Sequence, residues 1–151
     1  LRLICARTTD FFLKNLFISK KFKKYTLISQ KYLTLSLCAA AKSGDISKVR
    51  NLIARGARST NKALCNSVLQ SNHNIVEILL IYGAEVDTQD GYPLRWASHH
   101  GFVETVRILL KYGADPTLHN KAALIWAKQK NNISVIKILE NAIQSLNSPY
   151  N

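Results

Sequence analysis

Pro93-Leu94-Arg95-Trp96-Ala97-Ser98-His99-His100-Gly101, followed by Phe102-Val103-Glu104-Thr105-Val106-Arg107-Ile108-Leu109-Leu110-Lys111-Tyr112-Gly113-Ala114-Asp115, is the stretch that decides the fold. In its second half Val103, Val106, Leu109 and Leu110 stand three and four apart, the apolar stripe of an amphipathic helix. Gly113 follows directly, and a glycine just past a helix takes the left-handed backbone that closes it. In the first half Pro93 opens a second helix, at a position where a missing amide hydrogen costs nothing. The stretch therefore predicts helix, tight turn, helix and glycine-capped stop.

The same pattern recurs along the chain. Segments beginning at Gly44, Ser71, Gly101 and Asn131 align without gaps, so the steps are 27, 30 and 30 residues. The first three copies end in Gly56-Ala57, Gly83-Ala84 and Gly113-Ala114. Each is preceded by a helix built on a leucine, at Leu37, Leu64, Leu94 and Leu124. Ala40, Ser67, Ala97 and Ala127 fall at one register within those helices, where small side chains let neighbouring helices approach closely.

At these positions the chain resembles the ankyrin repeat, whose signature is a Thr-Pro-Leu-His turn, a pair of alanines, and Leu-Leu before Gly-Ala-Asp. The resemblance covers about residues 35–143 and is strongest in the third copy. It implies an all-α solenoid of helix-turn-helix units with repeats at about 35–58, 61–86, 91–116 and 121–143. Residues 1–34 then form an irregular helical N-terminal part, a cap or a degenerate repeat, and residues 144–151 a loose tail. The period departs from the usual ~33 residues. Pro93 to Gly113 keeps the full 20 positions of the helical part, so the loss falls in the connection, which in the family forms a projecting hairpin. Tyr92 and Arg95 replace the Thr and His of the turn motif. Shortened 30-residue units carrying Leu-Arg-Trp-Ala-Ser are similar to the ankyrin proteins encoded in large families by giant DNA viruses. Glu140 and Asn141 stand where the third copy has Leu110 and Lys111, and Gly-Ala is absent, which reads as a polar C-terminal cap.

The totals fit this reading. A chain of 151 residues, 47% hydrophobic and 20% charged, has the balance of one globular domain. No apolar run approaches the ~18–20 residues of a membrane-spanning helix. The sequence contains no methionine and reads as a piece or a processed form of a longer chain, so N-terminal targeting arguments carry little weight. Cys5, Cys38 and Cys65 are an odd number without metal-type spacing, which fits a reducing, intracellular compartment; within it the cytoplasm is expected rather than the nucleus. The net charge of +12 is uneven: +7 over residues 1–31, +4 over 32–60 and +1 over 61–151. Any electrostatic function is thus expected in the first 60 residues.

No phosphate loop, Gly-x-Ser-x-Gly or His-Glu-x-x-His pattern is visible, so the chain reads as no enzyme and as needing no cofactor. Of the histidines only His99 and His100 are close in sequence. Adjacent helical residues are expected to point in different directions, which argues against a metal site. Cys38 and Cys65 follow the motif leucine in adjacent repeats and read as buried small residues, with a redox pair as the lesser reading. Trp96 and Trp126 share one register, either packing between repeats or forming an aromatic ladder facing a partner.

The resemblance implies a protein-binding scaffold or adaptor that recognises a partner protein through a concave face. In the family that face is formed by the hairpin tips and by the last turn of the first helix. Carried onto this chain, it implies Lys42, Ser43, Leu69, Gln70, His99, His100, Gln129 and Lys130, with Gln89, Asp90, Tyr92, His119, Asn120 and Lys121 at the tips and Trp96 beside them. Recognition is expected to centre on the third and fourth copies, and the protein is expected to be monomeric. The alternative is a nucleic-acid or anionic-membrane binder acting through Lys20, Lys21, Lys23 and Lys24, which stand among Phe11, Phe12, Leu13, Leu16, Phe17, Ile18, Phe22 and Tyr25. The same segment also reads as transit-like, as a degenerate F-box-like helix, or as a cap with its lysines in water.

Overall fold

The computed structural model describes residues 29–58 and 60–146. Eight helices follow in order: α1 (residues 29–43), α2 (Ile46–Ala54), α3 (Asn61–Leu69), α4 (His73–Ile81), α5 (Thr88–His100), α6 (Val103–Lys111), α7 (Leu118–Gln129) and α8 (Ile133–Leu146). They form four antiparallel pairs stacked side by side. α3, α5 and α7 pack in one row and α2, α4, α6 and α8 in a second, each row contacting the other within a pair. α1 continues the first row, because Asn66 Nδ2 donates to Cys38 O at 3.2 Å and Asn72 Nδ2 to Ala41 O at 3.3 Å.

The leucine of each first helix and the stripe of each second helix meet between the rows. Leu37, Leu64 and Leu94 are buried there with Val49, Val76, Val106, Leu79, Leu109 and Leu139. Ala40, Ser67, Ala97 and Ala127 are all at most 1% exposed, so the small-residue register is buried within the stack. Cys38 and Cys65 are buried free thiols, and burial pushes the Cys65 thiol above its ordinary range.

Each of the first three pairs is closed by two left-handed turns, and the fourth has only the first of them. After the second helix the Gly56, Gly83 and Gly113 amides donate back to Ile53, Leu80 and Leu110, and the following alanine amides reach Leu52, Leu79 and Leu109. After the first helix the left-handed residues are Gly44, Ser71, Gly101 and Asn131. Here the chain turns straight into the second helix, with Phe102 N donating to Ala97 O at 2.9 Å and Asn132 N to Ala127 O at 3.0 Å.

The connections between pairs are short, as the spacing implies, but are turns rather than shortened hairpins. Among the described residues no strand forms. Instead Gln89, Asp90 and Gly91 take φ of 52°, 57° and 74°, and His119, Asn120 and Lys121 take 50°, 55° and 63°. A three-residue left-handed turn fits the shortened spacing, because it lifts the chain to the next pair without two extended arms. Asp and Asn tolerate this backbone better than most residues. Asp87 anchors the connection from below, both its carboxylate oxygens accepting the Asp115 amide at 3.2 Å. α8 lacks the Gly-Ala stop and runs 14 residues to Leu146, with Ile143 buried against the stack.

Candidate binding face

The first helices bury one side against the second row and leave the other uncovered. In α5 the helical spacing places Tyr92, Trp96, His99 and His100 together on that uncovered side. Tyr92 stacks on Trp96 with ring centres 5.8 Å apart and planes 29° apart. Trp96 lies 6.3 Å from His99 and 4.2 Å from His100. Burial pushes the Tyr92 phenol above its ordinary range.

The two adjacent histidines do not point apart, contrary to the sequence expectation. Their rings are 4.6 Å apart and their Nδ1 atoms 3.3 Å apart. His100 is the last residue before the left-handed Gly101, and its ring folds back so that Nδ1 lies 3.0 Å from Trp96 O. The Trp96 carbonyl stands four residues back, one helical turn below His100, within reach of the folded ring. His99 titrates below the ordinary histidine range, first through desolvation among these rings and then through the nearby positive charges of His100 and Lys130. Among the described residues no three His, Cys, Asp or Glu side chains gather as metal ligands.

The next pair extends the cluster. Trp126 of α7 meets His99 edge-on at 5.8 Å, and the Arg95 guanidinium lies 5.6 Å from the Trp126 ring centre. Phe102 closes the other end, stacked on His100 at 5.5 Å. Trp96 and Trp126 are both partly buried, so each rests on the stack and keeps part of its surface exposed.

Of the residues implied by the resemblance, the structure thus joins Tyr92, Trp96, His99 and His100. Gln129 and Lys130 are exposed at the end of α7. Lys42 and Ser43 on α1, and Leu69 and Gln70 at the end of α3, are exposed two pairs and one pair away respectively; Ser43 Oγ donates to Ala40 O at 3.1 Å. Gln89 and Asp90 are exposed in the left-handed turn, where Gln89 O accepts from Arg95 Nη2 at 3.4 Å and Asp90 Oδ2 lies 3.8 Å from His119 Nε2. Lys20, Lys21, Lys23 and Lys24 lie outside the described residues. Phe102, Arg95 and the exposed Ile125 were not singled out from sequence as binding residues. Phe102 had a signal: it stands at the register occupied by Asn72 and Asn132 in the neighbouring copies.

A family model described as ankyrin repeats, in three copies, matches residues 35–120. None of the curated proteins searched matches the chain.

Proposed function

The chain belongs to the ankyrin-repeat family, whose repeats are generally protein–protein interaction modules, and on that premise we propose that it is a scaffold or adaptor without catalysis of its own. It binds a partner protein on the uncovered face of the first helices, centred on α5 and α7. The observation that carries this is the contiguous surface of Tyr92, Trp96, His99, His100 and Trp126. Half-buried Trp and Tyr rings bury much area on binding at little rotamer cost, and such residues dominate binding hot spots. We also propose that the pair α7–α8 counts as a fourth repeat, since it continues the packing of the matched region.

Partner capture from a lysate, identified by mass spectrometry, tests the reading when three proteins are compared. His99→Ala combined with His100→Ala is expected to lose partners that wild type retains. Lys137→Ala, on the exposed side of α8, is expected to keep them. Equal loss in both variants, with far-UV circular dichroism unchanged, would place recognition elsewhere.

A further inference from the structure

The charge of this face goes with its rings, and it deepens the reading just given, on which it rests. On the first helices and their ends Lys42, Lys62 and Lys130 are exposed cations and Arg95 a partly covered one, and the His99 and His100 rings stand among them. Asp90 apart, the described acids stand on the second helices, their caps or the connections, and each has a partner. Asp45 caps α2 by accepting from the Lys48 amide, and Asp87 and Asp115 hold the connections. Glu77 pairs with Lys111 at 2.8 Å and Glu140 with Lys128 at 2.9 Å. Glu85 accepts from Asn61 Nδ2, and Glu104 lies 3.9 Å from Arg107. Asp90, the acid closest in the chain to Tyr92, faces His119.

Two alternatives for the rings are disfavoured by this arrangement. An aromatic cage for a cation needs open ring faces and acidic neighbours; here Arg95 already lies over Trp126 and the rim is basic. A platform for single-stranded nucleic acid needs separate ring faces on which successive bases stack. Here Tyr92 and His100 both pack on Trp96, and residues 61–151 carry only +1. Lys62 holds the register of Tyr92 one repeat earlier, and Lys130 lies one helical turn beyond Trp126, so cations flank the cluster on both sides.

We infer that the face binds an acidic peptide segment, one large apolar side chain seated over Tyr92, Trp96 and Trp126 and Asp or Glu residues on either side of it meeting Lys62 and Lys130. Opposite charge at the rim selects the partner and speeds encounter, while the apolar anchor supplies most of the affinity.

The test is selection of random short peptides displayed on phage against the full chain, followed by affinity measurement on synthetic copies of the selected sequences. The expected peptides carry acids on both sides of a Phe, Tyr, Trp or Leu. Lys130→Glu, an exposed change, is expected to weaken them about fivefold, the upper range for one exposed ion pair, and Trp126→Ala to weaken them further. Peptides without acids that still require Trp126 and the histidine pair would overturn the acidic partner and leave the protein-binding face standing. Peptides indifferent to Lys130→Glu, Trp126→Ala and the histidine pair would overturn both readings. A single-stranded oligodeoxynucleotide that displaces the peptides and itself requires Trp126 would replace the peptide with nucleic acid.

Discussion

At the residue scale the stack depends on side chains with no exposure, and the face depends on side chains only half covered. Leu109 is 0% exposed between the two rows. Leu109→Ala leaves a cavity that flanking helices cannot fill without breaking their own packing, so a loss of about 2–5 kcal/mol is expected. Urea unfolding measures it, and a change below about 1 kcal/mol would mean that the site collapses freely. His99 behaves differently, because its ring environment opposes the charged form. The folded protein therefore holds that proton less tightly than the unfolded chain. The stability tied to His99 is present above the ordinary value of 6.5 and is lost as pH falls through its own lower value. An NMR titration of the imidazole is expected to place His99 below that value, and Lys130→Gln to move it back upward. A midpoint at or above the ordinary value would contradict the ring packing described.

Helix junctions decide the element scale. At two of the three junctions a glycine after one first helix faces an asparagine one repeat later: Gly44 with Asn72, and Gly101 with Asn132. A Cβ on Gly101 would stand 2.9 Å from Asn132 Oδ1. Asn132 cannot easily retreat, because its Nδ2 donates to Ser98 O at 2.8 Å and His99 O at 3.0 Å, carbonyls at the end of α5. Gly113 has a similar φ of +89° but nothing within 4 Å of its missing Cβ. Gly113→Ala is thus expected to cost the left-handed penalty alone, about 1–2 kcal/mol, and Gly101→Ala clearly more. Equal costs in denaturant unfolding would show that Asn132 yields freely. The middle junction, Ser71 against Phe102, uses neither residue, and that is what frees Phe102 to join the ring cluster.

At the scale of the whole molecule each pair rests on its neighbours, so protection should follow position in the stack. α4 buries Ile75, Val76, Ile78, Leu79 and Leu80, more than any other second helix, and lies between α2 and α6. Its amides are expected to exchange slowest with deuterium, and those of the last turn of α8, ending in the exposed Leu146, fastest among the described helices. Uniform exchange across α2 to α8 would instead mean that the stack opens only as one unit.

How far the sequence reaches follows from which interactions are local. The helix pairs, the glycine stops and the small-residue register were legible, since each rests on spacing of three, four or about thirty residues that any copy repeats. The all-helical fold and the family followed from them. The left-handed turns at residues 89–91 and 119–121 were not legible, because five of their six residues are not glycine and nothing local demands that backbone. The meeting of His99 with His100 was not legible either: it depends on the His100 ring folding back toward the Trp96 carbonyl one turn earlier. Trp126 was open to two readings from its register, and its meeting with Arg95 and His99 came only when α5 and α7 were set side by side. Sequence period determines which residues share a helix face; only packing between helices decides which of those faces touch and which stay open to a partner.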